Sequence, residues 1–227
     1  MALTPGNTKL GALIWGWSIP AMRAICVGAT ELCASLCYAM RGFFLMPSVS
    51  KSHKQNYEMS LQKEFPEYMG LEISRIFARV VRLHVSGDFY SVAYVRKWLR
   101  IVRRRPHVTF YAYTRSWRES KFMPVLEELA ALPNFFLFYS CDAETGEPPE
   151  SDYARRAYLM TSDEDVAPYH VDLNFRNKAQ TVMKFDREGR LICPYENGVT
   201  STTCSKCKLC FTDCKMPQQK QLVELTV

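Results

Sequence analysis

Cysteine carries the clearest chemical pattern in this chain. Of its nine cysteines, Cys204, Cys207, Cys210 and Cys214 stand as C-x2-C-x2-C-x3-C, with Cys193 upstream in an ICP triplet. That run has the thiolate spacing with which bacterial ferredoxin-type segments wrap a cuboidal cluster. Three sulfurs from the run need a fourth, and Cys193 and Cys214 compete for the place. The last cysteine of such a run ligates a different cluster in ferredoxins, which favours Cys193. Tetrahedral zinc is the alternative at this site, since C-x2-C turns suit it as well.

A second set, Cys26, Cys33 and Cys37, spans C-x6-C-x3-C and offers three thiolates. A [4Fe-4S] cluster held by three cysteines leaves one iron open, much as three-ligand zinc leaves a position for water. Gly28, Ala29, Thr30 and Glu31 between them form a polar loop suited to wrapping a cluster. Cys141 stands alone beside Asp142 and reads as a buried thiol. His84, inside a strand, reads as a core or wall histidine. The chain shows no recognisable Ser-His-Asp or Cys-His arrangement and no Walker or dinucleotide glycine motif.

The elements that must position these cysteines follow from periodicity. Gly11 to Pro20 reads as an apolar strand running into the first cysteine loop. Ser48 to Phe65 and Pro66 to Phe77 have helical composition, the second with Met69, Ile73, Ile76 and Phe77 on one side. Val80 to Val85 is a strand ending in Ser86-Gly87-Asp88, and a helix follows from about Ser91 to Arg104. The unit repeats: strand Val108 to Thr114, helix Met123 to Leu132, strand Phe135 to Ser140. Further short strands are expected at Ala157 to Thr161, His170 to Phe175 and Gln180 to Phe185. Strands alternating with helices imply parallel βαβ units, in a doubly wound sheet or a full or partial barrel. In either, ligand chemistry concentrates at the carboxyl ends of the strands, where the cysteine loop, Gly87, Asp88, Arg115, Cys141 and Asp142 all fall.

The chain has 227 residues, 48% hydrophobic and 23% charged, an ordinary globular composition. No apolar run approaches the roughly 18 residues of a membrane span, and Met1 to Leu10 lacks the features of an export signal. The expected setting is therefore cytoplasmic, where clustered thiols ligate metal more often than they pair. A net charge of +6, with a run at Arg100, Arg103, Arg104 and Arg105, would attract phosphates, so nucleic acid is a candidate partner through 100–105.

Several runs together carry a resemblance to a known family: NTKLG (7–11), CVGATELCASLCYAMRG (26–42), RLHVSGDFYSVAYVRKWL (82–99), FYAYTRSW (110–117), ICPYENG (192–198) and CSKCKLC (204–210). They resemble the phage-borne gene product 88 family across nearly the whole chain, which would place the protein in a host-cell cytoplasm. A wider resemblance is to radical S-adenosylmethionine enzymes, whose three-cysteine cluster follows the first strand of a partial (β/α) barrel. Their usual spacing is C-x3-C-x2-C, unlike the C-x6-C-x3-C found here. That resemblance implies α/β architecture, a partial (β/α) barrel-like parallel sheet over 1–186, with a small cysteine-rich cluster-binding segment over 187–227. It implies two [4Fe-4S] clusters, the first on Cys26, Cys33 and Cys37, the second an auxiliary cluster on the tail cysteines. It further implies that Ser86, Gly87 and Asp88 contact the amino group of S-adenosylmethionine and that Arg115 pairs with its carboxylate. Aromatic side chains near the same strand ends, among them Trp15, Trp17, Tyr38, Phe89, Tyr111, Tyr113 and Trp117, either line the pocket or belong to the core.

Three functional readings follow: a radical S-adenosylmethionine-like enzyme acting on an unknown substrate; a non-catalytic iron-sulfur or zinc protein binding nucleic acid or a host protein; and an electron-transfer or redox protein.

Overall fold

The computed structural model describes residues 2–176, 182–197 and 201–212. Its centre is a seven-stranded sheet: β1 (Thr4–Pro5), β2 (Ile14–Ser18), β3 (Val80–Ser86), β4 (Thr109–Thr114), β5 (Phe135–Cys141), β6 (Arg155–Met160) and β7 (Leu173–Arg176). Spatial order equals chain order. The short β1 is antiparallel to β2, and every later strand is parallel to its predecessor. A sheet in sequential order has no point where the order reverses, which separates it from a doubly wound sheet. The expected barrel-like parallel arrangement is what the chain forms, as an open arc without closure.

Helices cover one face. They are α2 (Pro47–Leu61), α3 (Phe65–Arg75), α4 (Val92–Arg103) and α5 (Met123–Ala130); α1 (Glu31–Leu36) lies within the first cysteine loop, and a single turn, α6 (Cys204–Cys207), lies in the tail on the other side. The side chain of Ser91 caps α4 by accepting from Tyr94 N at 3.1 Å, supplying one of the partners a helix start lacks. Tyr94, Val95, Trp98, Leu99, Ile101 and Val102 form its buried stripe and pack with Trp17, Leu83, Phe110 and Leu137 in the main core. On its exposed side, Arg100 and Arg104 pair with Glu67 of α3, and Arg103 with Glu128 of α5. Three members of the basic run thus already face carboxylates.

The other face of the sheet is covered by the chain's tail. Ile14 and Tyr111 pack with Leu10 and Phe211, and Phe138, Ala157 and Leu173 with Cys193. Along β4, Phe110 and Ala112 meet the helices while Tyr111 and Tyr113 meet the tail side. Burial on both faces explains why these strands read as continuous apolar runs and not as alternating ones.

Four local features depart from the sequence expectation. Phe77 does not join the apolar side of α3, because the helix ends at Arg75 and Phe77 takes a left-handed conformation (φ 51°) that leaves it 85% exposed. The segment Gln180 to Phe185 lies partly outside the described residues, and its described part makes only an isolated bridge, Phe185 to Leu191. Strand β1 and helix α1 had no periodic signal, being too short to show one. Finally, β3 is bulged: Gly16 is opposite Arg82 and Ser18 opposite Ser86, with His84 at φ 56° between them. Such an irregularity re-aims side chains at a strand end.

Candidate functional site

The first cysteine loop is tied to the carboxyl ends of β3, β4 and β5 through one connected set of polar groups. Thr30 caps α1: its Oγ1 accepts from Cys33 N at 2.9 Å and donates to Asp142 Oδ2 at 2.7 Å. Asp142, immediately after β5, pairs with Arg115 Nη1 at 2.6 Å. Arg115, immediately after β4, donates its backbone N to Asp88 Oδ2 at 2.8 Å, while Thr114 Oγ1 and Phe89 N donate to Asp88 Oδ1 at 2.6 and 2.7 Å. Ser86 Oγ donates to the Ile19 carbonyl at 2.9 Å. Gly87 sits at φ 84°, where a Cβ would meet Ile19. The site residues expected from the resemblance are therefore brought together, and within this chain Ser86, Asp88 and Arg115 brace the strand ends to one another.

The three thiols of this loop gather over that frame. Cys26 is close enough to interact with Cys33, Cys37 and Asp88, and Cys33 with Arg115, Cys37 and Asp142. Burial pushes the Cys26 thiol up to about 12, helped by Asp88, and raises Cys33 as well, against the opposing charge of Arg115. Gly28 sets how closely the loop approaches: a Cβ there would fall 1.9 Å from the Arg115 carbonyl oxygen. Cys141 is fully buried, with Sγ 3.4 Å from the Tyr139 carbonyl. His84 is buried too, its Nε2 3.1 Å from Tyr94 OH, and burial pulls its pKa down to about 3. Tyr94 OH accepts from Trp17 Nε1 at 2.8 Å, which leaves its own proton for His84 Nε2. Trp17, Phe89 and Trp117 belong to the helical core, while Tyr111 and Tyr113 face the tail.

A second set of thiols meets on the opposite sheet face. Cys193, Cys204, Cys207 and Cys210 line one narrow recess, with a cavity volume of only about 10 Å³, together with Leu173, Pro194 and Tyr195. Cys210 interacts with Cys207, Cys193 and Cys204. Burial raises the Cys193 thiol to about 12 and raises Cys204 and Cys210. Cys193 lines the same recess as the three tail cysteines, whereas Cys214, its competitor for the fourth place, lies outside the described residues.

The start of the chain anchors this recess. Asn7 Oδ1 accepts from Lys9 N and Leu10 N, each at 3.0 Å, and the turn presents the Lys9 and Leu10 carbonyls to Cys204 N and Ser205 N at 2.8 and 2.9 Å. Gly11, at φ 79°, lets Ser205 approach where a side chain would collide. Lys9 Nζ pairs with Glu196; burial alone would lower its pKa, but Glu196 and Cys193 outweigh that and raise it. Arg155 holds the Leu209 and Cys210 carbonyls at 2.9 and 3.2 Å and lies 4.3 Å over the Phe138 ring. Arg82, Tyr111 and Tyr113 form the wall between them.

Lys9, Arg82 and Arg155 were not singled out by spacing. The available signal was an arginine inside an apolar strand, at Arg82 in VVRLHV and Arg155 in RRAYLM, because charged residues are seldom buried without a partner. Among the described residues, no three His, Cys, Asp or Glu side chains are gathered as the shell of a metal ion. Nor, among them, is any helix long and apolar enough to cross a membrane.

Comparison with known proteins places these motifs in a family context. The Gene 88 protein of Mycobacterium phage L5 is 28% identical over 203 residues, covering 82% of this chain and 77% of the relative. That of Mycobacterium phage D29 is 27% identical over 205 residues, covering 82% and 78%. No solved structure matches. The Gene product 88 family model matches residues 1–213, a span that takes in both cysteine sites and the strands between them, and the chain belongs to that family.

Proposed function

We propose that this chain is an iron-sulfur protein with two sites: a four-thiol site on Cys193, Cys204, Cys207 and Cys210, and a three-thiol site on Cys26, Cys33 and Cys37 serving a reaction of the radical S-adenosylmethionine type. The observation that carries the reading is the convergence of cysteines from separate chain segments onto one recess. The chain brings them there through the NTKLG turn and Arg155. The donor set is all sulfur, which suits iron-sulfur clusters and zinc. A single tetrahedral zinc, with bonds of about 2.3 Å, needs its sulfurs within about 3.8 Å of one another. In a cluster each sulfur binds a different iron, so the sulfurs stand farther apart than around one zinc. When bound, a cluster with an open iron supplies one electron and a coordination position. This chain's part at the first site is to hold the loop at the strand ends through Thr30, Asp142 and Arg115, and to shield the thiols from water. A carboxylate ligand reaching Arg115 would share its guanidinium with Asp142.

The test is metal analysis with low-temperature electron paramagnetic resonance on protein prepared without air. About eight irons are expected from two cubanes. Cys33→Ala and Cys207→Ala should each lose about half, at different sites. A metal-free wild-type protein, or zinc alone, refutes the iron-sulfur reading. Reduced protein incubated with S-adenosylmethionine should release 5'-deoxyadenosine; loaded, reducible protein that yields none removes the enzyme and leaves the metal sites.

A further inference from the structure

The sheet wall beneath the tail cysteines holds two buried polar atoms without a partner, Arg82 Nε and Tyr111 OH, and a third, Tyr113 OH, whose one neighbour is the Cys210 sulfur. They share one patch. Arg82 is opposite Tyr111 in the register of β3 and β4, and its guanidinium lies 5.6 Å from the Tyr113 ring centroid. Each faces sulfur: Arg82 is close to Cys204, Tyr111 to Cys204 and Cys210, and Tyr113 to Cys210. Among the described residues no ion pair joins Arg82 to a carboxylate, whereas Arg115 and Arg156 each hold one and Arg155 holds two carbonyls. Buried donors are rarely left unpaired, and a buried guanidinium needs an anion. Neutral thiols bring no charge and accept hydrogen bonds only weakly, as Cys210 does beside Tyr113. Thiolates around an iron-sulfur core meet both needs, because their sulfurs accept hydrogen bonds and the assembly is negative overall.

We propose that Arg82, with Tyr111 and Tyr113, forms a hydrogen-bonding wall for an anionic cluster on the tail cysteines and sets its reduction potential. This rests on the iron-sulfur reading above. Taking up one electron from an external reductant adds a negative charge to the cluster and changes no bond to the protein. A fixed positive charge and two hydroxyl donors favour that reduced state over the oxidised one, so they raise the potential. Lys9 and Arg155 add to the local positive field, but their polar atoms are already engaged by Glu196 and by the Leu209 and Cys210 carbonyls. Arg82 is the group whose pairing awaits the cluster.

The experiment is a potential-controlled titration followed by electron paramagnetic resonance, on full-length protein carrying Cys33→Ala so that only the tail cluster reports. Arg82→Leu should shift the one-electron equilibrium toward the oxidised form at least tenfold, a fall of about 59 mV. Arg82→Lys, which keeps the charge but loses the planar donor, and Tyr113→Phe, which keeps the ring, should each give a smaller fall at unchanged iron content. Iron retained with the potential unmoved in Arg82→Lys and Tyr113→Phe overturns the inference and leaves the cluster standing. Should Arg82→Leu fail to load, those two variants decide alone. Absence of iron from the parent protein overturns the underlying reading instead.

Discussion

Replacing Gly28 by alanine tests how the first cysteine loop is seated. The added Cβ would fall 1.9 Å from the Arg115 carbonyl oxygen and 2.4 Å from its carbonyl carbon. Ordinary contact begins near 3.4 Å, so loop and strand end must part by about 1.5 Å, and no side-chain rotation can relieve a clash with backbone. Overpacking of this kind costs about 1–3 kcal/mol. For a chain of this size, 2 kcal/mol corresponds to a fall in melting temperature of about 4–8 °C. The displaced loop also carries Cys26, two residues away, and Thr30, whose hydroxyl reaches Asp142. On the proposed iron-sulfur reading, metal content at the first site should therefore fall while the tail site keeps its complement. Gly42→Ala is the control: it has left-handed φ of 55° but nothing within 4 Å of the added atom, so it should lose only the conformational penalty of about 1 kcal/mol and no metal. Calorimetry and site-resolved metal analysis read both effects. If Gly28→Ala melts with the wild type and loads its first site fully, the close backbone approach does not seat the loop.

Two further perturbations probe buried charge. Asp142→Asn removes the partner of Arg115 where the two side chains are 0% and 8% exposed; breaking a buried pair costs about 3–5 kcal/mol, and a urea midpoint within error of wild type would contradict the bracing role. His84 is held neutral, with a pKa of about 3 against 6.5 in the unfolded chain. Below pH 6.5 the unfolded state binds a proton the folded state does not, so stability falls as pH falls, by about 1.4 kcal/mol per unit. Between pH 6.5 and 5 the loss should come to roughly 1–2 kcal/mol, and His84→Gln should abolish that part of the slope; an unchanged slope in the variant would show that the imidazole titrates normally.

Sequence alone determined the local elements and the chemistry on offer. The apolar runs at Ile14, Val80, Thr109 and Phe135, separated by amphipathic stretches, could only become parallel strands with helices between them. The tail spacing put Cys204, Cys207 and Cys210 within one short loop whatever the rest of the chain did. These are short-range properties, set by periodicity and by the reach of a few residues. What the sequence left open was every choice that depends on two distant segments meeting. The winding direction of the sheet, and hence an open arc in place of a doubly wound sheet, follows from strand order, which periodicity does not encode. That Cys193 joins the tail cysteines depends on the pairing of Asn174 with Ile192 and Cys193 along β7. That the tail covers the sheet at all depends on the turn from Asn7 to Gly11, some two hundred residues away in the chain. Arg82 and Arg155 read in the sequence as charges interrupting strands; only the folded sheet, by aligning them on the face that carries the thiols, shows what those charges meet.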